Sequence, residues 1–125
     1  MWKNEKGQSL VEFALLIPIL ILILMAIVEF GFMFNTYITI NNASREGARL
    51  GSLGGSDTEV ALRVLEASPN LASENFTIAV TPGVRSRGDM IRVNIQYDYQ
   101  IITPIMSTVL SPLIDLEAET VMRVE

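Results

Sequence analysis

The stretch from Phe13 to Phe34 constrains this chain more than any other feature. Its 22 residues include one charged residue, Glu29, and the sixteen residues from Phe13 to Val28 include none. As an α-helix the stretch is about 33 Å long at 1.5 Å per residue, which matches a hydrocarbon core of about 30 Å. The sequence therefore predicts a transmembrane helix over residues 8–34.

The charges on either side of this stretch predict its orientation. Lys3 and Lys6 precede it and the next basic residue is Arg45, so the positive-inside rule places the N-terminus in the cytoplasm and residues 35–125 outside. A removed signal peptide is the competing interpretation, because a basic start and an apolar run are typical of it too. The run continues through Glu29 into a polar helical pattern without a small-residue cleavage site, which favours a retained helix.

Composition limits the classes of function. The chain of 125 residues has room for one small domain besides the helix. The net charge of -5 and the absence of a Lys/Arg cluster argue against nucleic-acid binding. With neither cysteine nor histidine, the chain cannot form a disulfide and lacks the commonest base at neutral pH. No nucleophile with a base, metal-ligand set or phosphate-binding loop is evident, so we expect no enzyme, cofactor or metal.

Beyond the apolar stretch the sequence predicts two helices. The long helix continues past the membrane and ends at Gly54-Gly55, because a glycine can take the left-handed conformation that caps a helix. A second helix of about ten residues opens with the capping-box pair Ser56 and Glu59 and ends before Pro69.

Three segments alternate apolar and polar residues, which is the period of a half-buried strand. They cover residues 76–80, 91–101 and 114–124. The turn-rich segment 81–89 joins the first two as a hairpin loop, and 103–112 connects the second and third. Three antiparallel strands cannot cover their own apolar face, so we expect an α+β lollipop in which the sheet packs on the long helix and the short second helix.

The heptapeptide from Gly7 to Phe13 places a carboxylate, Glu12, at the start of the membrane helix. An unpaired ionised carboxylate in hydrocarbon is expensive, so Glu12 is a candidate for meeting the positive charge of a partner. Snorkelling of Glu12 to the membrane interface is the alternative interpretation.

With Gly7 and Glu12 at this spacing, the chain resembles the bacterial type IV pilins and pseudopilins. In those families a membrane peptidase cuts after the Gly of a short basic leader, and the fifth residue of the mature chain is Glu. The resemblance implies a leader of residues 1–7 and a mature chain that begins at Gln8. The new α-amino group at Gln8 and the carboxylate of Glu12 are one helical turn apart, so Glu12 can satisfy the terminus of an adjacent subunit, and pairing offsets the cost of burial.

Three motifs narrow the resemblance to the TadE-like family of the tight-adherence (Tad, Flp) pilus system. They are Glu12-Phe13-Ala14-Leu15 leading into Pro18, then Glu29-Phe30-Gly31, then Asn42-Ala43-Ser44-Arg45-Glu46-Gly47-Ala48-Arg49. The resemblance covers roughly residues 5–53. It implies a pseudopilin or minor pilin with a pilin-like fold, in the inner membrane or incorporated in an extracellular pilus. The implied partners are TadF-like or Flp-like subunits, the prepilin peptidase, the pilus assembly platform and membrane lipid.

Two residues join Glu12 as candidates for subunit assembly. Phe13 follows it directly, and Glu29 lies about 26 Å further along the helix axis, near the outer interface. We expect Glu29 either to snorkel or to pair with a partner subunit.

The run from Arg45 to Arg49 is the most specific part of the resemblance. Glu46 and Arg49 are spaced as an i,i+3 pair, and Arg45 and Arg49 share a face. Such pairs stabilise an exposed helix by only about 0.2–0.5 kcal/mol, so stability alone does not explain the run. Small residues recur nearby every four positions and form a stripe on the helix. We expect this stripe either to contact another subunit or to pack against the chain's own sheet. They are Ala43, Gly47, Gly51 and Gly55.

Two other motifs carry less weight. Arg87-Gly88-Asp89 spells an integrin-recognition tripeptide, but Gly-Asp is also what a hairpin turn favours. Asp115, Glu117 and Glu119 alternate along one strand, where we expect a solvated face rather than an acid/base pair. The alternative function is an unprocessed single-pass anchor that scaffolds an envelope complex through the soluble domain.

Overall fold

The computed structural model of this chain describes residues 5–111 and 113–125. The beginning of the predicted leader, with Lys3, and Pro112 in the second connection lie outside the described residues. The helices are α1 (Glu5–Ser52), α2 (Asp57–Glu66) and α3 (Met106–Val109), and the strands are β1 (Phe76–Thr81), β2 (Met90–Gln100) and β3 (Leu113–Arg123). The predicted α+β fold is confirmed, and the single-turn helix α3 is an addition to it.

Helix α1 is 48 residues long, which corresponds to about 72 Å. It begins before the predicted transmembrane segment, because it is already helical at Glu5 and passes through Gly7-Gln8 without a break. Pro18 lies inside it. The most apolar part of α1 is long enough to cross a membrane, and none of it is buried by the rest of the described chain.

The predicted junction between α1 and α2 is confirmed. Gly54 has a φ of 99°, the left-handed conformation that ends a helix, and the Gly55 N–H donates to the carbonyl of Leu50 at 3.0 Å. At the start of α2, the Ser56 hydroxyl accepts from the Glu59 N–H at 3.2 Å, and the Glu59 carboxylate accepts from the Ser56 N–H at 3.3 Å. Both arms of the capping box are therefore present.

The three strands form one antiparallel sheet in the order β1-β2-β3. At its centre, Ile95 of β2 lies between Ile78 of β1 and Ala118 of β3. The inward side chains of β2 are buried and the alternate ones are largely exposed, as the alternation predicted. The buried ones are Ile91, Val93, Ile95, Tyr97 and Tyr99.

The inward face of the sheet packs on the C-terminal half of α1, and α2 covers the adjoining side of that helix. Strand β2 runs opposite to α1, since Ile91 packs against Gly51 whereas Tyr99 reaches Glu29. Midway, the hydroxyls of Ser44 and Thr120 form a hydrogen bond of 2.6 Å between α1 and β3. The sheet therefore covers α1 from Glu29 to its C-terminal end.

The small-residue stripe seats the chain's own elements. A Cβ added at Gly47 would lie 2.7 Å from Cγ2 of Val64 in α2. One added at Gly51 would overlap Cδ1 of Ile91 and lie 3.3 Å from Cγ2 of Val60. These glycines let α2 and β2 approach the backbone of α1 closely, which supports the intramolecular interpretation of the stripe.

Gly51→Ala tests this close approach. Because the added methyl group overlaps Ile91, we expect the substitution to lower the free energy of unfolding by about 1–3 kcal/mol, the usual cost of overpacking. Gly31→Ala is the matched control, since no atom lies within 4 Å of its added Cβ, and alanine is the better helix former. Denaturant unfolding of both variants in detergent measures the difference, and equal stabilities would contradict the close packing.

Candidate functional site

Helix α1 divides into two parts near Glu29. Every residue from Gln8 to Leu24 is exposed, so the chain covers none of this surface itself. Glu29 is only 1% exposed, and the contact with the sheet begins there. The first part of the helix is thus open to lipid or to other helices, and the second part belongs to the folded domain.

The carboxylate of Glu29 is bound by groups at the end of β2 and just after it. Its Oε1 accepts from the hydroxyl of Tyr99 at 2.9 Å and from the Ile102 N–H at 3.0 Å. Its Oε2 accepts from the Thr103 N–H at 3.0 Å. These partners lie 70, 73 and 74 positions further along the chain than Glu29, so the cluster joins the helix to a distant part of the chain.

The Glu29 cluster, consisting of Glu29, Tyr99, Ile102 and Thr103, is held by dipoles rather than by a cation. Within residues 5–111 and 113–125, no Lys or Arg forms an ion pair with Glu29. Three donors compensate the carboxylate for the water it loses on burial. Burial raises the pKa of the Tyr99 hydroxyl, and the hydrogen bond to Glu29 raises it further. Tyr99 therefore remains a donor throughout the ordinary pH range.

The sequence analysis did not anticipate internal partners for Glu29. The expectation that it snorkels is wrong, because its side chain is buried against the sheet and satisfied there. Its contact with a second subunit stays a prediction. Tyr99 could have predicted an internal partner of this kind, since a tyrosine on the inward face of a strand needs an acceptor for its hydroxyl.

The N-terminal candidates lie on the uncovered part of α1. The side-chain amide of Gln8 donates to the carboxylate of Glu12 at 3.4 Å, consistent with their spacing of one helical turn. Phe13 is 60% exposed. Gly7 lies inside the helix. Glu12 is thus an exposed carboxylate on an otherwise apolar surface, with one long hydrogen bond from its own chain.

The run from Arg45 to Arg49 is arranged differently from our expectation. The i,i+3 pair between Glu46 and Arg49 is not formed, because Glu46 pairs instead with Arg63 of α2 at 3.0 Å. Both partners are about half exposed, so the pair adds little stability. Arg45 and Arg49 are exposed, and neither takes part in an ion pair in the part of the chain that the structure describes.

The Arg87-Gly88-Asp89 motif is part of a turn that is hydrogen-bonded to Val124, next to the C-terminal residue. Gly88 has a φ of 92°, and its N–H donates to the carbonyl of Val124 at 2.8 Å. The Val124 N–H donates in return to the carbonyl of Asp89 at 2.7 Å. These bonds account for Gly-Asp as turn residues.

The acidic residues of β3 face outward, as predicted. Glu117 accepts from the amide of Asn94 at 2.7 Å, and Glu119 pairs with Arg92 at 3.3 Å. Asp115 lies opposite Asp98, and the hydrogen bond between the two carboxyl groups raises the pKa of Asp98. Among the described residues, no group of three or more Asp, Glu, His or Cys side chains could hold a metal ion.

The comparison with known families agrees with these motifs. The family model of TadE-like protein matches residues 7–49. Over these residues the chain is similar to the TadE-like family. The match includes Gly7, Glu12, Glu29 and the run from Arg45 to Arg49, and it ends before α2 and the sheet. No curated protein and no solved structure matches the chain. The predicted resemblance to the TadE-like family is confirmed over these residues.

Glu29→Gln tests the Glu29 cluster. The new amide NH2 replaces one acceptor and faces an N–H donor, so we expect the free energy of unfolding to fall by about 1–3 kcal/mol. Tyr99→Phe removes a single donor and costs about 1–1.5 kcal/mol.

Glu12→Gln is the matched control for this prediction. It makes the same chemical change on the exposed part of the same helix, where we expect an effect within about 0.5 kcal/mol. Denaturant unfolding in detergent compares the three variants. Equal stability of Glu29→Gln and Glu12→Gln would contradict a structural role of the buried carboxylate.

Proposed function

We propose that this TadE-like protein is a pseudopilin or minor pilin that takes part in assembly of a Tad pilus. It acts as a structural subunit and not as an enzyme. Residues 8–34 span the inner membrane, with the N-terminus in the cytoplasm and residues 35–125 outside. The observation that carries the proposal is the uncovered surface of α1 from Gln8 to Leu24, which is apolar except near its start.

An apolar helix surface of this size must be shielded from water by other apolar groups. In the membrane, acyl chains provide it, and in a filament the helices of neighbouring subunits take their place. The folded domain does not cover this surface, because every residue from Gln8 to Leu24 is exposed. The same helix can therefore pass from lipid into a bundle of helices without any change in the domain.

Glu12 gives this bundle a specific alignment. Its carboxylate receives only the 3.4 Å bond from Gln8, so it has acceptor capacity left. A cut after Gly7 creates an α-amino group at Gln8, and a neighbour displaced along the axis by about one helical turn brings that charge to Glu12. The pair offsets the cost of burying each charge alone, so correctly aligned subunits are favoured.

The position of Gly7 is compatible with cutting by a prepilin peptidase. A peptidase acts on an extended backbone, whereas the Gly7-Gln8 bond lies within α1. Glycine is among the weakest helix formers, at about 1 kcal/mol less favourable than alanine. A glycine near the helix end therefore lowers the cost of unwinding the chain at the proposed cut.

Arg45 and Arg49 supply a second contact above the membrane. They lie on the exposed side of α1, away from Gly47 with its α2 neighbours, and they form no ion pair within the described chain. We propose that they meet carboxylates of another pilin-like subunit. The pairing of Glu46 with Arg63 leaves both arginines available for this contact.

Intact-mass measurement of the protein from its native host tests the processing step. We expect a chain that begins at Gln8. A chain that retains the leader residues 1–7 would instead favour the unprocessed anchor that scaffolds an envelope complex.

Glu12→Gln tests the assembly step. It keeps the size of the side chain but removes its charge, so we expect normal membrane insertion and loss of assembly with partner pilins. Glu5→Gln is the matched control, because that residue lies in the proposed leader and is removed before assembly. Pilus formation at the normal level in the Glu12→Gln strain would contradict the proposed pairing.

A further inference from the structure

The connection between β2 and β3 is unusually apolar for a loop. The sixteen residues from Tyr99 to Ile114 include no Asp, Glu, Lys or Arg. Charged residues flank the segment directly, since Asp98 precedes it and Asp115 follows it. We call residues 101–111 together with Leu113 the apolar connection.

The Glu29 cluster fixes the level of the apolar connection along α1. Ile102 and Thr103 donate their backbone N–H groups to Glu29, so this part of the connection lies beside that turn of the helix. Glu29 precedes Phe34, the last residue of the proposed span, by five residues, or about 8 Å along the axis. If the span is in the membrane, the start of the connection therefore lies at the depth of the outer leaflet.

The apolar connection has side chains that face the protein, such as Ile101 and Met106, and side chains that point outward. Several large apolar side chains are exposed on it, whereas Met106 of α3 is buried toward α1. The exposed ones are Ile102, Ile105, Val109, Leu110 and Leu113. Ile102 and the exposed Phe32 of α1 line the same groove, so the start of the connection adjoins the apolar surface of the helix.

Several backbone polar groups in the apolar connection have partners inside the protein. Besides the two N–H groups on Glu29, the Leu110 N–H donates to the carbonyl of Met106 at 2.8 Å. The hydroxyl of Ser107 donates to the carbonyl of Pro104, and that of Thr108 to the carbonyl of Ile105, both at 2.7 Å. These internal hydrogen bonds lower the cost of placing this part of the backbone against the membrane.

We propose that the apolar connection is a second membrane contact, which inserts into the acyl chains of the outer leaflet beside α1. The inference rests on the proposed membrane span. Its geometry resembles that of interfacial segments, whose apolar side reaches about 5–10 Å into the boundary between headgroups and acyl chains. The flanking Asp98 and Asp115 remain on the water side. The domain is thereby held against the membrane in one orientation, and Glu29 links the two contacts.

Fluorescence of single-tryptophan variants tests this contact. Trp2 is the only tryptophan of the chain, so Trp2→Phe provides the background. Into it we place Val109→Trp in the apolar connection, Leu24→Trp in the span, and Val84→Trp as the matched control. Val109 is 60% exposed and Val84 is 89% exposed, so neither substitution disturbs the core. Val84 lies in the loop between β1 and β2, at the opposite end of the domain.

The full-length variants are reconstituted in phosphatidylethanolamine/phosphatidylglycerol vesicles whose acyl chains carry bromine. We expect bromine to quench Val109→Trp and Leu24→Trp strongly and to leave Val84→Trp unchanged, with a blue-shifted emission for Val109→Trp. Quenching of Leu24→Trp without quenching of Val109→Trp would overturn this inference and leave the span intact. Absence of quenching in Leu24→Trp would overturn the span and the inference together. Equal quenching of Val84→Trp and Val109→Trp would also overturn the inference, because the contact would not be specific to the connection.

Discussion

The carboxylate of Glu29 connects the long helix to the end of the sheet, and the position of the whole domain depends on it. A buried carboxylate without a cation is tolerated only when enough donors replace water, and Tyr99, Ile102 and Thr103 provide three. Since two of these donors are backbone N–H groups, the carboxylate fixes the path of the chain and not only the rotamer of a side chain. The sheet is consequently attached to α1 at both ends, at Glu29 and at Gly51.

This attachment separates two tasks along one helix. Beyond Glu29 the helix is a part of the domain core, with Ile40 and Ala43 fully buried. From Gln8 to Leu24 every residue is exposed, so this part of the helix keeps its surface for lipid or other subunits. In the proposed function, exchange of lipid for neighbouring helices involves only the first part. The domain can then enter an assembly as a rigid body whose height above the membrane is set by Glu29.

Much of the fold could be predicted because its signals are local. The alternation in β2 and β3, the capping box of Ser56 and the glycine stop at Gly54 each depend on residues a few positions apart. The partners of Glu29 and Glu46 could not be predicted in the same way, since they depend on contacts between distant elements. Glu46 pairs with Arg63 rather than with Arg49 because α2 packs beside α1. For the N-terminal site, residue spacing and the family resemblance predicted Gly7 and Glu12, whose proposed partners are a peptidase and another subunit.

Hydrogen exchange of the Ile102 and Thr103 amides in the bilayer-reconstituted protein measures the Glu29 cluster most directly. The account predicts slow exchange at both amides in the unchanged chain. In Glu29→Gln it predicts a larger increase in exchange at one or both of these amides than at the Val93 amide in the core of β2, which reports only the loss of global stability. Rapid exchange at Ile102 and Thr103 in the unchanged protein, or protection that does not respond to Glu29→Gln, would contradict the claim that this carboxylate attaches the domain to the helix.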